Sequence, residues 1–187
     1  MTDHDRLFEL ARRRQDDTPY LLIAAGCEIV CHAKEALRCS GAPQPLLESQ
    51  SITASVRDWL ENKDISNSKK AYTQVIDPVR KLASQNAGRR TLNGGVWPHY
   101  LACTHLSLML HEYTSGRADN ILAQRLQWVA TNAANCVAQV LTAPADKAYR
   151  RVRNAEAAWQ IECLESLALR YAPPGAGERT RNSLLTT

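Results

Sequence analysis

The sequence has no apolar segment long enough to cross a lipid bilayer. Its longest apolar stretch is LLIAAG, residues 21–26, whereas a membrane-spanning helix needs about 20 apolar residues. The first twenty residues, MTDHDRLFELARRRQDDTPY, are charged throughout and contain no run of seven apolar residues, so they lack the apolar core of a secretory signal peptide. We therefore expect a cytoplasmic protein whose six cysteines are reduced and mostly buried.

The motifs of β-sheets and nucleotide sites are also missing. No segment alternates apolar β-branched and polar residues between turn signals, which is the pattern of a half-buried strand. Neither G-x-G-x-x-G nor G-K-[ST] occurs, and Gly94–Gly95 is an isolated pair. Nothing in the sequence therefore supports a nucleotide site.

The composition is that of an ordinary globular domain. A length of 187 residues suits one domain, since chains divide more often beyond about 250 residues. The 44% hydrophobic and 22% charged fractions argue against disorder of the whole chain. The net charge of +4 is far from the dense basic stripe of a dedicated nucleic-acid binder. We expect one helical domain over residues 1–172 and a disordered polar tail over 173–187.

Apolar residues recur at helical spacing along most of the chain. We predict an all-α, single-domain bundle of about seven helices joined by short loops. The predicted helices cover about 3–14, 19–38, a segment containing 52–60, a segment after Ser66, 98–115, 119–142 and 145–171. Residues 43–51 are predicted to be a loop or one helical turn, and 88–95 a flexible loop. Pro78 should kink or interrupt the helix after Ser66, because proline removes a backbone hydrogen bond.

Three cysteines and a histidine crowd the segment GCEIVCHAKEALRC, residues 26–39. Cys27 and Cys31 are four residues apart and share one helix face. Structural zinc sites usually contain a Cys-x-x-Cys pair, which this segment lacks, and a further ligand would have to come from Cys136 or Cys163. We expect small buried thiols here, with no metal and no cofactor.

Three histidines, His99, His105 and His111, recur every six residues. On a helix, six residues advance the side-chain direction by about 240° beyond a full turn, so the three cannot all ligate one ion. His105 could serve as a base, but no recognisable turn positions a nucleophile. A polar group satisfied at a helix-packing edge is the preferred interpretation.

The last predicted helix contains EAAWQIECLESLAL, which begins at Glu156. Trp159, Cys163 and Leu167 recur every four positions and are predicted to lie in the core. Glu156 and Gln160 stand beside this stripe. We expect them to fix packing against a neighbouring helix through hydrogen bonds rather than to perform chemistry.

Charged residues cluster in two places. Asp58, Glu61 and Asp64 recur every three residues and could meet a basic partner, although exposed carboxylates at this spacing are common. Four basic residues lie near the start of the last helix: Lys147, Arg150, Arg151 and Arg153. They suit a solvated face, and together with Arg89 and Arg90 they could contact an acidic surface or nucleic acid.

Three segments carry a resemblance to a known family. PHYLACTH, residues 98–105, is similar to a Gly-His-Ala-x-Ala-Thr-x-His segment, and EAAWQIECL, residues 156–164, to a Glu-x-x-Trp-Gln-x-x-x-Leu ending. VRDWLENKDISNSKKAY, residues 56–72, is similar in its helix end, short break and basic helix start. Over about residues 50–165 the chain thus resembles the fifth family of helical immunity proteins in bacterial polymorphic-toxin systems. The matching positions are His99, His105, Glu156, Trp159 and Gln160.

The chain departs from that family's pattern at three positions. Pro98 replaces a glycine, Cys103 replaces a threonine, and Met109 replaces a further histidine. These changes weaken any histidine-based role. They leave the fold expectation intact, because methionine and cysteine pack readily in a core.

The resemblance implies a non-catalytic cytoplasmic protein that neutralises a cognate toxin by tight binding. Long amphipathic helices could also support a homodimer. The candidate partner-binding residues are Asp58, Glu61, Asp64, His99, His105, Glu156 and Gln160. Toxins that cleave nucleic acid are generally basic, so a chain of net charge +4 would need a local acidic patch to meet one.

Two other classes of function stay open. A helical accessory subunit associated with nucleic acid would use the basic cluster at 147–153, and its affinity would fall steeply with salt. An enzyme with its site at His99, His105 or the Glu156–Gln160 edge would hold a metal or a histidine of strongly shifted pKa. The sequence favours the protein-binding interpretation over both.

Overall fold

The computed structural model describes residues 3–15, 19–40, 45–62, 73, 77, 95–116, 121–142 and 146–170. Within them the chain forms six α-helices: α1 (Asp3–Gln15), α2 (Pro19–Cys39), α3 (Pro45–Asn62), α4 (Val96–Thr114), α5 (Ile121–Leu141) and α6 (Lys147–Arg170). No strand occurs in these residues, which confirms the all-α class. None of the described helices combines the length and the apolar character needed to cross a membrane.

The predicted number of about seven helices is one higher than the six found in the described part of the chain. The additional helix was expected after Ser66, with a kink at Pro78. Of that helix, Thr73 and Asp77 are described, and both are helical and exposed. The rest of it and the predicted kink at Pro78 lie outside the described residues, as do the predicted loop over 88–94 and the predicted tail over 173–187.

The start of α3 corrects one prediction. The sequence predicts a loop or a single turn over residues 43–51, yet α3 already begins at Pro45. Proline suits the first helical position, because its missing N–H is one of the donors that a helix start leaves without a partner. Farther along, the Thr53 hydroxyl donates to the Ser49 carbonyl at 3.0 Å. Threonine has a low helix propensity, but here the hydroxyl group of Thr53 has a hydrogen-bond partner within the helix.

The core is centred on α2 and α5. Helix α2 packs against all five other helices, and α5 packs against α1, α2, α4 and α6. Gly26 faces both α4 and α5: a Cβ there would lie 3.2 Å from Leu106 of α4, which is a tight contact, and 3.6 Å from Leu126 of α5, which is an ordinary van der Waals distance. The Cys136 thiol donates to the Ala33 carbonyl at 3.8 Å. These two contacts show that α2 and α5 run in the same direction.

Two glycines of positive φ bound helix α4. Gly95 (φ 83°) precedes its first turn, and Gly116 (φ 69°) follows its end. The predicted helix from about Pro98 to Ser115 is therefore confirmed, with a start two residues earlier. Gly95 also lies against α5, because a Cβ there would come within 2.6 Å of the Cys136 carbonyl oxygen. This contact fixes where the antiparallel pair α4–α5 begins.

Candidate functional site

Two of the three predicted acidic partner residues, Asp58 and Glu61, are exposed on α3, and Asp64 lies outside the described residues. Between the two carboxylates, Trp59 turns inward and is only 3% exposed. Its ring meets the ring of Tyr113 edge-on, with the centroids 5.3 Å apart. This contact places the exposed carboxylates at the end of the bundle where α4 ends.

His99 lies in the core, with an exposure of 0%. Its Nε2 is 2.8 Å from Ser49 Oγ and 3.6 Å from Cys103 Sγ, and both neighbours are 1% exposed. Burial, and secondly the charge of Lys34, lower the pKa of His99 to about 4, so the ring is neutral near pH 7. The residue types suit nucleophilic catalysis, but the cluster has no opening to solvent. The same burial argues against the predicted direct contact of His99 with a partner.

His105 instead lies at the surface where α4 and α5 meet. Its half-buried ring stacks on Trp128, with the centroids 5.5 Å apart. Its Nδ1 is 3.4 Å from the Arg125 guanidinium. Burial, followed by the charge of Arg125, lowers the pKa of His105. The ring is therefore neutral near pH 7, and Nδ1 can accept a hydrogen bond from Arg125.

Arg125 is held in place by Glu112 across the α4–α5 contact. Its Nη2 donates to Glu112 Oε1 at 2.7 Å, and its Nε lies 3.2 Å from both carboxylate oxygens. The Glu112 side chain is 12% exposed and that of Arg125 27%. Charge-assisted bonds from two nitrogens fix the plane of a guanidinium. Arg125 therefore presents one orientation to the surface.

Together these side chains form a surface that we name the Trp128 patch. It consists of His105, Ile121, Gln124, Arg125 and Trp128. They surround a shallow groove of about 300 Å³. Of the large hydrophobic side chains exposed in the described part of the chain, Trp128 (50%) is the aromatic one, the others being Leu141 and Leu169. Because tryptophan and arginine are enriched among the residues that dominate protein interfaces, this patch is the strongest candidate site.

Glu156 and Gln160 are buried, with exposures of 7% and 0%. Gln160 Nε2 donates to the Ala130 carbonyl on α5 at 3.0 Å. Glu156 Oε2 lies 3.2 Å from His32 Nε2 on α2, and this hydrogen bond raises the pKa of His32. The predicted hydrogen bonds of the two polar residues to neighbouring helices are confirmed. Their burial leaves them poorly placed to bind a partner directly.

The apolar stripe beside them is less buried than predicted. Of Trp159, Cys163 and Leu167, only Leu167 is buried, at 7%, while the other two are half-buried and pack against the core from outside. Trp159 lies over the ring of His32, with the centroids 4.1 Å apart. The buried residues of α6 are instead Glu156, Ala157, Gln160, Ile161, Leu164 and Leu167. The buried face therefore includes the polar pair.

Cys27 and Cys31 form a thiol pair on α2, beside α3. Cys27 is 1% exposed and its Sγ lies 3.7 Å from the Thr53 carbonyl, whereas Cys31 is half-buried. A hydrogen bond from Cys27 lowers the pKa of Cys31 to about 6, against the effect of burial, and the charge of Arg57 lowers it further. The same hydrogen bond, with burial, raises the pKa of Cys27. Arg57 in turn lies 3.4 Å from Glu28.

The remaining cysteines do not complete a zinc site with this pair. All six are free thiols; Cys103 and Cys136 are buried, Cys163 is half-buried and Cys39 is exposed. Within the described residues, no group of three or more His, Cys, Asp or Glu side chains could hold a metal ion. The alternative in which Cys136 or Cys163 supplies a further zinc ligand therefore fails there.

The basic cluster lies on the first two turns of α6. Lys147, Arg150 and Arg151 are exposed, and Arg153 is half-buried. The exposed members are available to an acidic ligand or to solvent, as the sequence predicts. Arg89 and Arg90, the other cations considered for nucleic-acid contact, lie outside the described residues.

No known protein family, curated protein or solved structure matches the chain.

The Trp128 patch was missed at the level of sequence. The apolar pattern that predicts the helix over 119–142 includes neither Trp128 nor Arg125. One signal was present: Trp128 stands outside the apolar positions of that helix, where a large aromatic side chain becomes exposed. The ion pair with Glu112 had no such signal, because it depends on how α4 and α5 pack.

Proposed function

We propose that this chain is a non-catalytic immunity protein that binds and neutralises a bacterial toxin in the cytoplasm through the Trp128 patch. The observation that carries this proposal is the half-exposed Trp128, held beside His105 and Arg125 on two rigid helices. The family resemblance of the segments 98–105 and 156–164 provides the toxin as the class of partner.

The exposed indole supports a protein partner. Half of the Trp128 surface faces water, and covering that surface would remove a large apolar area from solvent. Tryptophan and arginine side chains often contribute most of the binding energy at an interface. The patch places one of each side by side.

The ordered side chains around Trp128 also favour tight binding. Arg125 is fixed by Glu112, and His105 by its stack on Trp128. Side chains that are already ordered lose little conformational entropy when a partner docks. The groove is shallow, whereas small-molecule sites usually enclose most of their ligand. A protein surface suits it better than a small ligand does.

Charge indicates which kind of toxin surface fits. Glu112 already neutralises Arg125, so the patch itself carries little net charge. The exposed Asp58 and Glu61 lie at the same end of the bundle, where α4 ends. We infer a toxin with an apolar pocket for Trp128 and basic side chains elsewhere on its surface that attract these two carboxylates. Such opposite charges would also speed association.

The test combines capture with protection from toxicity. The tagged chain is used for a pull-down from its host at moderate salt with nuclease present, and each captured protein is then expressed alone. We expect one stoichiometric partner that stops growth alone and is harmless when this chain is co-expressed. Trp128→Ala should lose protection. Leu169→Ala, which removes another exposed apolar side chain on α6 (81% exposed), should keep it.

Two results would contradict the proposal. Full protection by a folded Trp128→Ala variant would remove the patch from the interface. Capture of nucleic acid without a protein partner, when nuclease is left out, would favour the accessory-subunit alternative. The exposed basic residues of 147–153 would then be the next to substitute.

A further inference from the structure

The thiol pair on α2 has a geometry of its own, independent of the Trp128 patch. Cys27 and Cys31 are one helical turn apart and share one face of α2. Cys27 is 1% exposed and Cys31 half-buried, so the pair is reached from solvent through Cys31. The other buried thiols contact different groups: Cys103 lies beside His99, and Cys136 donates to a backbone carbonyl.

Helix geometry disfavours a disulfide between the two sulfurs. The Cβ atoms of residues four apart on a helix are about 5–6 Å apart, whereas a disulfide needs about 3.5–4.5 Å. Closing the bond would distort α2 in the middle of the core. An ion placed between two sulfurs at about 2.3 Å from each spans a wider gap, which fits the undistorted helix.

The number of ligands restricts which ion could bind. Zinc in structural sites takes four protein ligands, and within the described residues no third or fourth ligand joins the pair. Soft thiolate ligands select soft ions such as Cu(I). A soft monovalent cation with two sulfur ligands matches both the thiolate character of the ligands and their number.

The surrounding charges suit such a complex. Two thiolates and one monovalent cation carry a net charge of −1. The charges of Arg57 and Lys34 act on Cys31, and Arg57 acts on Cys27 as well, while the carboxylate of Glu28 opposes them. Two cations and one anion balance the complex, which lowers the cost of a charged group in a partly buried site.

We propose that Cys27 and Cys31 bind one soft monovalent cation, with Cu(I) as the model ion, between two thiolates on the face of α2 that meets α3. Binding breaks the S–H bonds of those sulfurs that are still protonated and releases the protons to solvent. Two S–Cu bonds form, and neither copper nor sulfur changes oxidation state. The Cys27 hydrogen bond to the Thr53 carbonyl is given up when its proton leaves.

The test is an anaerobic competition titration of the whole chain with Cu(I) against the chromophoric chelator bicinchoninate. The parent chain should withhold one equivalent of copper from the chelator. Cys31→Ser should lose that equivalent. Cys163→Ser is the matched control, because Cys163 is also a half-buried thiol but has no cysteine one turn away, and it should retain the equivalent.

X-ray absorption at the copper edge provides a second measurement. It should show two sulfur neighbours and no nitrogen. The proposal is overturned if the parent withholds no copper, if Cys31→Ser withholds as much as the parent, or if Cys163→Ser loses the equivalent. Three or more sulfur neighbours would also overturn it, because copper would then bridge thiols from elsewhere. Circular dichroism of each variant establishes that the helices are retained.

Discussion

At the scale of single residues, Gly95 is required for two reasons: its backbone conformation favours glycine, and neighbouring atoms leave no room for a side chain. Its φ of 83° lies in the left-handed region, which glycine adopts without a steric penalty. A Cβ there would also lie 2.6 Å from the Cys136 carbonyl oxygen and 2.9 Å from Val140. From the sequence, Gly94–Gly95 is only an isolated glycine pair. The lack of room for a side chain at Gly95 arises from the packing of α5 and has no local sequence signal.

Gly95→Ala should lower the free energy of unfolding by about 2–4 kcal/mol, from backbone strain together with overpacking. Gly116→Ala is the control, since Gly116 also has positive φ (69°) but a Cβ there would meet nothing within 4 Å. The control should cost about 1 kcal/mol. Urea unfolding of both variants measures the difference, and equal losses would show that the contact with α5 relaxes at little cost.

The buried polar pair shows what sequence patterns leave undetermined at this scale. Spacing alone identified Trp159 and Cys163 as core, and the structure places Glu156 and Gln160 deeper. Their partners, His32 and the Ala130 carbonyl, are 124 and 30 residues away along the chain. A polar side chain can be buried once such a partner exists, and only the packed fold provides it.

At the scale of helices, the sequence predicted most boundaries well. Helices α1, α2, α4, α5 and α6 begin and end within two residues of their predicted positions. Proline, glycine and apolar spacing are local signals, and they suffice for these boundaries. Residues 45–51 were wrongly predicted as a loop or a single helical turn, because their polar and proline content resembles that of a loop. The pairing of Arg125 with Glu112 depends on the register of α4 against α5, which local signals do not contain.

Trp159→Ala tests how far the outer face of α6 supports the fold. A fully buried aromatic residue would cost about 3–5 kcal/mol on truncation. Because Trp159 is half-buried and packs on His32, we expect a loss of about 1–3 kcal/mol. Leu169→Ala, at an 81% exposed position, should change stability by less than about 0.5 kcal/mol. If chemical denaturation of Trp159→Ala showed a loss of unfolding free energy above about 4 kcal/mol, Trp159 would have to be counted as a core residue.

At the scale of the whole molecule, three histidines respond to pH with opposite signs. Burial lowers the pKa of His99, to about 4, and that of His105. The unfolded chain therefore binds their protons first, and stability falls as pH drops below about 6.5. The hydrogen bond with Glu156 raises the pKa of His32. Its contribution is complete below about pH 6.5 and is lost as pH rises through the raised value.

Glu156→Gln isolates the contribution of His32. The difference in unfolding free energy between the parent and this variant should be greatest near pH 6 and should shrink by pH 8. Because the His32 side chain is 42% exposed, solvent screening should limit the change to under about 1 kcal/mol. In a His32→Gln background the same substitution should show no pH dependence over this range. A pH dependence that persists in that background would assign the effect to another group.

The two histidine–tryptophan stacks allow the intrinsic tryptophan fluorescence of the protein to report on two different sites. Trp128 is half in water, whereas Trp59 is 3% exposed, so the emission of Trp128 lies at longer wavelength. A partner that covers the Trp128 patch would shift the emission of Trp128 to shorter wavelength and leave the emission of Trp59 unchanged. Because His105 and His32 lie against different indoles, protonation of each ring would alter the brightness of a different tryptophan. Docking and titration can thus be followed by fluorescence without an attached dye.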